Sequence, residues 1–508
     1  MIRAQHLATW LIVLGAGFAA GAWSGSAAAA LPTTRGALLD VNRLSFPVWN
    51  QGSYAYDLVG FGHGLEFPRG SGDALAYAGG IWFAGQVGGE LRTVMAEFGT
   101  DFRPGPVVNG GYAIDTLRYR VYKVARGDTS GWATWMARAV PLGAPVDASG
   151  NAPANVGDQT LWTSFNDAAP VTELPMRGGR RMSPPVGLEI QLTAYAFNRV
   201  GPVRDAAYFH WVVIHQGTVP LDSVYVGLFL DARLGAQLLA ACDTSLDLGY
   251  SFHVVDDASY GSAAPAVGLQ LLRGPQGSTS TDRLRATSFV VYPNGADPSD
   301  SLQVYRSLRG FRPWGDSMID SSSGLPTKFW SSGDPAAGTG WVATNPTHPH
   351  WVLASGPFHL APGDTQVVDA ALVVGWGPSH LASTAVLRAN ATEVRRLFDD
   401  QFASLPSTVP PPEPRRPGTP IRNSPNPSIG YTRLTYRVPS GGGAVEIALY
   451  DLSGRKLRTL VDRWQPPGLQ AVEWDGIDDD GRPLPPGLYF VHGSVGGVRS
   501  SGRIVLVR

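Results

Sequence analysis

The chain is patterned for strands along most of its length, because apolar and polar side chains alternate with a period of two. In the run 187–197, Leu188 and Ile190 fall on one side of an extended backbone, and Glu189 and Gln191 fall on the other. Further runs rich in β-branched and aromatic residues predict strands at 117–124, 207–215, 223–230 and 366–375. Frequent turn residues between these runs are typical of a sandwich of antiparallel strands.

The C-terminal part repeats this pattern on a smaller scale. Val445, Ile447 and Leu449 share one face of a predicted strand, and Glu446 lies opposite. Strands are predicted at 432–438, 444–451, 457–461, 469–474, 487–495 and 503–507. The acidic stretch 478–481 forms a tight turn between two of them. So many short strands in so short a segment are typical of an immunoglobulin-like sandwich.

One segment departs from the strand pattern. Residues 379–402 are almost free of Gly and Pro, and their apolar side chains recur at steps of three and four residues. These apolar positions are Leu381, Ala385, Leu387, Ala391, Val394, Leu397, Phe398 and Phe402. We therefore predict an amphipathic helix that packs on the sheet region and closes it.

The combined prediction is an all-β protein. It has a large antiparallel β-sandwich region closed by one amphipathic helix, and a small C-terminal immunoglobulin-like β-sandwich. The proline-rich stretch 405–420 favours extended backbone and predicts a semi-rigid linker between a large β-rich region, 31–404, and a C-terminal domain, 421–508. The length of 508 residues also exceeds one ordinary domain.

Residues 1–30 have the features of a secretory signal peptide. Arg3 supplies a positive charge, an apolar run follows at 7–20, and small residues at 26–30 offer a cleavage site. No later stretch is apolar enough to predict a transmembrane segment. The formal net charge of −1 gives no bulk attraction to nucleic acid. We predict a secreted or cell-surface protein that passes through the periplasm.

Aspartates are densest in the middle of the large region, at Asp231, Asp243, Asp247, Asp256 and Asp257. Two carboxylates about 5 to 9 Å apart could hydrolyse a glycosidic bond, and Asp231 with Asp243 is the best candidate pair. A cation site built from some of these groups is a second alternative. Because aspartate is common in turns, a purely structural role is the main interpretation.

His348 and His350 flank Pro349 and would share one face of a strand, as zinc ligands can. The intervening proline and the lack of an obvious third ligand favour a loop. Cys242 is the only cysteine, so no internal disulfide forms. His253 is near it in sequence, but nothing indicates that the two side chains meet, and a buried inert thiol is the main interpretation.

The C-terminal aspartates Asp475, Asp478, Asp479 and Asp480 cluster as calcium ligands can, but their spacing does not fit an EF-hand loop. Turn geometry is the main interpretation. On these grounds no catalytic, cofactor-binding or metal-binding residue is assigned, and no cofactor is expected.

Seven tryptophans lie in Gly- or Ser-rich surroundings: Trp132, Trp135, Trp162, Trp314, Trp330, Trp341 and Trp351. Core packing is expected for most of them, whereas one or two exposed rings could stack on a sugar. A cell-surface glycan is therefore kept as an alternative partner.

Four motifs recur in order along the C-terminal domain: Pro425-Asn426-Pro427 and the segments 450–455, 474–481 and 486–489. Through these motifs the domain resembles the sorting domain of type IX secretion cargo and is equally similar to the immunoglobulin-like domain of flagellar hook-capping proteins. In such cargo the domain directs export across the outer membrane, so residues 421–508 are expected to contact the secretion machinery. The chain ends in Arg508, where typical cargo often ends in lysine, which leaves a role as a structural cap open.

The large region resembles bacterial surface proteins without a known activity. Segments such as 67–72, 79–82 and 157–159 carry this resemblance, which implies a β-rich extracellular protein and brings no catalytic residues. Relatives tend to have acidic residues where this chain has Leu238 to Ala241. If those acids bind calcium in the relatives, this chain is expected to lack that site. The predicted function is a non-catalytic binding or structural role, and the alternative is a carbohydrate-active enzyme or glycan-binding protein.

Overall fold

The computed structural model describes residues 36–56, 64–71, 73–98, 100–112, 118–170, 183–232, 237–257, 260–277, 282–410, 421–424, 426–438, 443–466, 468–495 and 498–507. The predicted signal peptide and residues 411–420 of the predicted linker lie outside the described residues. Within the described ranges, no helix is both long enough and apolar enough to cross a membrane.

Strands dominate the large region and confirm the prediction of an all-β fold. In chain order they are β1 (Gly36–Leu39), β2 (Phe46–Trp49), β3 (Leu65–Glu66), β4 (Ala74–Ala76), β5 (Ala78–Val87), β6 (Glu90–Met95), β7 (Arg103–Pro104), β8 (Val107–Val108), β9 (Gly111–Tyr112), β10 (Tyr122–Ala125), β11 (Gln159–Asn166), β12 (Leu188–Ala196), β13 (Ala206–His215), β14 (Leu221–Asp231), β15 (Leu238–Asp243), β16 (Leu248–His253), β17 (Ala266–Arg273), β18 (Ser288–Tyr292), β19 (Met318–Ile319), β20 (Pro326–Thr327), β21 (His350–Leu360) and β22 (Thr365–Gly375).

Helices are few among the described residues of this region. The α-helices are α1 (Trp132–Thr134), α2 (Ser301–Leu308) and α3 (His380–Asp399), a π-helical turn spans Trp135–Ala139, and 3-10 turns span Val140–Leu142, Pro202–Asp205 and Pro293–Gly295.

Two antiparallel sheets form the sandwich. Among the described residues, the larger has nine strands, in the order β10-β11-β12-β13-β22-β17-β16-β15 with β7 paired to β11. The smaller has five, in the order β18-β21-β14-β5-β6. Apolar side chains of both sheets join one core, in which Leu192 and Trp211 of the first sheet and Leu228 and Trp351 of the second are buried. This burial of the two inner faces is the main source of cohesion in the large region.

A helix covers the outer face of each sheet. Leu387 and Val394 of α3 are buried in a cluster with Tyr208 and Tyr250 of the nine-stranded sheet. On the five-stranded sheet, α2 contributes Val304, Tyr305 and Leu308 to a second cluster that contains Trp82 and Phe229. The large region is therefore layered as helix, sheet, sheet and helix. The sequence pattern predicts α3 and not α2, because α2 is too short for its periodicity to stand out.

The strands predicted in the large region match observed ones closely, with one exception. The run 117–124 is only partly a strand, since β10 begins at Tyr122. The carbonyl of Tyr119 accepts a hydrogen bond from the side chain of Asn50. In a strand, this carbonyl would accept from the backbone N–H of a neighbouring strand.

The C-terminal residues form a second, smaller sandwich with its own core. Its strands are β23 (Arg422–Ser424), β24 (Ser428–Ile429), β25 (Thr432–Val438), β26 (Gly443–Tyr450), β27 (Lys456–Gln465), β28 (Gly468–Trp474), β29 (Gly487–Val495) and β30 (Val498–Val507). They form sheets of order β23-β25-β28 and β24-β30-β29-β26-β27, antiparallel except for the pair of β24 with β30. Buried Trp474 of one sheet packs with Ile447 and Val491 of the other.

The docking of α3 can be tested with two leucines of the same helix. Leu387 is fully buried against the nine-stranded sheet, whereas the side chain of Leu381 is exposed. We expect Leu387→Ala to lower the free energy of unfolding by about 2–5 kcal/mol, and Leu381→Ala to lower it by less than about 1 kcal/mol. Urea denaturation measures both. Equal losses in the two variants would contradict the docking of α3 through Leu387.

Candidate metal centre

Asp231 is a buried carboxylate at the end of a sandwich strand. It is the last residue of β14, where it pairs with Ala78 of β5 on one side and with His350 of β21 on the other. The residue has no exposed surface, and neither carboxylate oxygen has a hydrogen-bond partner. An isolated buried charge is costly, so a group of opposite charge must compensate it.

Two imidazoles supply that environment. His350 is the first residue of β21 and lies directly across from Asp231, and cross-strand partners in an antiparallel pair present their side chains on the same face. His348 stands two residues earlier in the extended segment that leads into β21. Because every second residue of an extended chain points the same way, His348 and His350 both face Asp231.

The distances within this group separate two kinds of contact. The Nε2 atoms of His348 and His350 lie 3.4 Å and 3.3 Å from the Oδ1 and Oδ2 atoms of Asp231, respectively. The Nδ1 atom of His350 lies 2.8 Å from Oδ1 of Asp297, which is an ordinary charge-assisted hydrogen bond. Ligand atoms bound to one tetrahedral zinc at about 2.1 Å are about 3.4 Å apart, so the first two contacts have the spacing of atoms that share an ion.

A turn before α2 holds the outer side of His350. Asp297 accepts from Nδ1 of His350, and the backbone N–H of Gly295 donates to the carbonyl of His348 at 3.2 Å. Gly295 has a φ of +66°, and a Cβ at this position would lie 3.0 Å from Cε1 of His350. Glycine therefore lets the turn approach the ring closely enough for Asp297 to fix its orientation.

Aromatic rings enclose the other side of His350. The rings of Phe98 and Phe229 lie 5.5 Å and 5.9 Å from the imidazole, measured between centroids. This apolar wall limits the access of water to Asp231 and His350, and so strengthens any electrostatic interaction between them.

The charges of the group are strongly coupled. Burial acts to raise the pKa of Asp231, but the contacts with His348 and His350 outweigh burial and lower it to about 2. Burial acts to lower the pKa of His350, but Asp231 and Asp297 outweigh burial and raise it to about 10. A metal ion bound in this position would displace the proton from Nε2 of His350, because imidazole binds metals in its neutral form.

The donor set determines which ions these residues could hold. The candidate ligand atoms of Asp231, His348 and His350 all lie within 4.8 Å of one another, and no other such group of His, Cys, Asp and Glu occurs in the described ranges. Two imidazoles and one carboxylate suit zinc and neighbouring divalent transition metals, whereas calcium and magnesium prefer oxygen ligands alone.

The structure does not unite Asp231 with Asp243. Asp243 ends β15, at the edge of the other sheet, and its Oδ2 atom accepts from Nε of Arg388 at 2.7 Å. Burial acts to raise the pKa of Asp243, but Ser245 and Arg388 outweigh it and lower the pKa. Asp247 is likewise held by Arg285 and Arg395. These carboxylates therefore form ion pairs with arginines and have a structural role.

Asp256 and Asp257 lie in the turn that follows β16. Asp257 accepts from the backbone N–H of Tyr260, and Asp256 is exposed. Cys242 is buried on β15, where its thiol donates to the carbonyl of Trp330. Burial raises the pKa of this thiol, and His253 lies at the opposite end of the β15-β16 pair from Cys242.

The C-terminal aspartates bond to turns and arginines. Asp478 accepts from the backbone N–H groups of Asp480 and Arg482, and Asp479 accepts from that of Thr459. Asp475 pairs with the guanidinium of Arg458. This bonding supports the interpretation of the acidic stretch as a turn.

Most of the seven tryptophans belong to the core. Trp135, Trp162, Trp341 and Trp351 are buried, and Trp132 and Trp330 are half-buried. Trp314 is 60% exposed, and the guanidinium of Arg312 lies over its ring. A sugar-stacking role for this set of tryptophans thus rests on Trp314.

The sequence favoured a loop for the histidine pair and paired Asp231 with Asp243. The structure instead places His350 at the start of β21, directly across from Asp231. The His-Pro-His spacing was a usable signal, since it predicts two imidazoles on one face. The third ligand comes from β14, far away in sequence, and only the pairing of β14 with β21 brings it near. Asp297 carried no sequence signal, because it lies in a turn.

Comparisons with known proteins give no family for this chain. Neither a protein-family model nor a curated protein matches it. Among solved structures, a polysaccharide lyase is 10% identical, with a TM-score of 0.19, over 66% of this chain and 36% of the lyase. The chain therefore spans about a third of the length of that enzyme.

Two bacterial surface proteins are similarly distant. The adhesin domain of Epf from Streptococcus pyogenes is 9% identical, with a TM-score of 0.13, over 62% of this chain and 87% of that domain. PorZ, a surface component of the type IX secretion system of Porphyromonas gingivalis, is 10% identical, with a TM-score of 0.14, over 94% of this chain and 58% of PorZ. Scores this low carry no argument about function.

The effect of a substitution on stability distinguishes a tryptophan in the core from an exposed one. The indole of Trp351 is fully buried between the sheets and donates to Oγ of Ser251 at 2.9 Å. We expect Trp351→Ala to lower the free energy of unfolding by about 3–5 kcal/mol, and Trp314→Ala to change it by less than about 1 kcal/mol. Denaturation followed by circular dichroism measures both. A small loss in the Trp351 variant would contradict its place in the core.

Proposed function

We propose that this chain is a secreted or cell-surface protein whose large region binds a divalent transition-metal ion through Asp231, His348 and His350, in a binding or structural role. One observation carries the proposal. A fully buried carboxylate, without a hydrogen bond to either oxygen, faces two imidazole Nε2 atoms at 3.4 Å and 3.3 Å, and the three candidate ligand atoms lie within 4.8 Å of one another.

The orientation of His350 supports the same conclusion. Its Nδ1 atom is engaged by Asp297, which fixes the ring and leaves Nε2 directed towards Asp231. A histidine that binds a metal commonly donates its other ring N–H to a carboxylate in this way. Asp297, the imidazole of His350 and the proposed ion position therefore follow one another in a chain of contacts. An ion pair alone would also place these charges together, but would not require the second imidazole of His348.

The alternative of a carbohydrate-active enzyme has weaker support. Its candidate carboxylate pair, Asp231 and Asp243, lies on different sheets, and Asp243 is bonded to Arg388. The exposed ring of Trp314 is one feature that would suit a glycan. We therefore favour metal binding over the enzyme alternative, and no catalytic residue is assigned.

Delivery to the cell surface is the second part of the proposal. The N-terminal segment has the features of a signal peptide, and residues 421–508 carry the motifs of a sorting domain. The latter residues build a two-sheet sandwich with its own core, as an appended domain requires. We propose that this domain contacts the outer-membrane secretion machinery.

Metal binding can be measured directly with purified protein and zinc. We expect the protein to bind one zinc ion, and expect Asp231→Asn and His350→Ala to weaken binding by more than about 100-fold, because each removes a ligand. His359→Ala is the matched control. His359 lies on the same strand and contacts Asp222 at 2.8 Å, but both side chains are exposed. Isothermal titration calorimetry and elemental analysis give affinity and stoichiometry.

A second readout uses stability. Zinc at about a hundred times its dissociation constant should stabilise the protein by about 2.7 kcal/mol, and a chelator should remove this gain. The Asp231→Asn variant should show no gain. Failure of the unaltered protein to bind zinc, or an equal loss of binding in the His359→Ala control, would overturn the proposal.

Export can be tested by deletion of residues 421–508. We expect the shortened protein to accumulate in the periplasm, because it keeps the predicted signal peptide and lacks the predicted sorting domain. Surface labelling and cell fractionation measure its location. Unchanged appearance at the surface would rule out a sorting role and leave the domain as a structural cap.

A further inference from the structure

We infer that a cleft beside the C-terminal end of α3 binds a phosphate group. The cleft lies between the last turn of α3, the end of β17 and residues 283–285, and its volume is about 360 Å³. Volumes of roughly 300–1,000 Å³ are typical of sites for small molecules. Asp231, His348 and His350 do not line this cleft, so the inference goes beyond the proposed metal binding and does not depend on it.

Four arginines line the cleft, and they come from three separate parts of the chain. Arg273 ends β17, Arg283 and Arg285 stand on either side of Leu284, and Arg395 lies near the end of α3. Leu284 packs against the sandwich core and so anchors the segment that carries Arg283 and Arg285. The pairing of β17 with β22 and the docking of α3 on the same sheet bring the four guanidinium groups to one place.

The cleft has an excess of positive charge. Among its described lining residues the carboxylates are Asp247 and Asp399, so two of the four positive charges have no counterpart within the cleft. Asp369, which lies outside the lining, approaches Nε of Arg273 to 3.4 Å and compensates part of this excess. The whole chain has a formal net charge of −1, so the excess is local. A cleft lined mainly by one sign of charge concentrates ligands of the opposite sign.

A single carboxylate fixes two of the arginines without neutralising both. Asp247 accepts from Nε of Arg285 at 3.1 Å and from an Nη atom of Arg395 at 3.3 Å. Backbone carbonyls hold the same two groups, since Thr244 accepts from Arg285 at 2.7 Å and Leu271 accepts from Arg395 at 2.6 Å. Burial lowers the pKa of Arg395 and outweighs the opposing effect of the nearby carboxylates. A further negative charge in the cleft would therefore stabilise this guanidinium.

Arg273 and Arg283 supply the donors that an anion from solution can reach. The guanidinium of Arg273 lies over the ring of Phe398, with its Cζ atom 5.3 Å from the ring centroid, and the side chain is 44% exposed. This cation–π contact orients the group and leaves its Nη atoms available. Arg283 is exposed, and its side chain forms no ion pair with the described residues. Both arginines can thus donate to an anion and keep their present contacts.

The chemistry of these groups favours phosphate over other anions. The planar fork of a guanidinium can donate to two oxygens of one phosphate group. A phosphate monoester carries about −1.5 to −2 charges at pH 7, which matches the two positive charges that lack a counterpart in the cleft. A carboxylate carries only one negative charge and matches them less well. The volume of the cleft also leaves room for a small molecule attached to the phosphate.

Isothermal titration calorimetry of the purified full chain with glucose-6-phosphate tests this inference. A chelator keeps ions away from the proposed metal centre, and a constant ionic strength holds the screening of exposed charges fixed. We expect one saturable site, and expect Arg283→Gln and Arg273→Gln each to weaken binding about 10-fold or more, because each removes a charged donor. Arg138→Gln is the matched control. Arg138 is also exposed and without an ion pair to the described residues, but it lies on the π-helical turn.

Inorganic phosphate, acetate and glucose complete the set of ligands. Tighter binding of glucose-6-phosphate than of inorganic phosphate would support a phosphate ester as the ligand, and the reverse order would support free phosphate. Acetate or glucose bound as tightly as glucose-6-phosphate would overturn the inference. Absence of saturable binding, an equal loss in the Arg138→Gln control, or unchanged affinity in both Arg283→Gln and Arg273→Gln would overturn it as well. None of these outcomes affects the proposed metal binding, because the chelator is present throughout.

Discussion

The large region depends on one constraint: both of its sheets are apolar on both faces, so four faces must be kept from water. Docking the sheets on each other covers the inner pair, as the shared burial of Trp211 and Trp351 shows. The outer faces need separate covers, which α3 and α2 provide. Because a sheet with an exposed apolar face would associate with other surfaces, each helix keeps an apolar outer face away from water and from other molecules.

This layering leaves the ends of the strands as the places where polar chemistry can be built. Asp231 ends β14, His350 begins β21 and Tyr292 ends β18, and pairing puts all three at the same end of the five-stranded sheet. There the side chains are held by rigid strands and yet lie near the surface loops. Precise placement of charged groups is easier at such a position than on a loop alone.

The sequence predicts much of the fold because the relevant signals are local. Period-two alternation predicts the ends of β12 and β25 to within about one residue. The N-cap and the apolar stripe of α3 are equally local signals. The candidate site is different. His348 and His350 are neighbours in sequence, but the contact with Asp231 depends on the register of two distant strands. The contact with Asp297 depends on a turn in which Gly295 has a positive φ. Neither relation can be read from a single sequence.

The separation of the ligands along the chain has a consequence for when an ion could be acquired. Asp231 and His350 meet only after β14 and β21 have paired, so an unfolded chain offers no assembled site. A protein that crosses the inner membrane unfolded would therefore fill such a site only after folding outside the cytoplasm. The metal content of that outer compartment, rather than the cytoplasmic supply, would then decide which ion the protein carries.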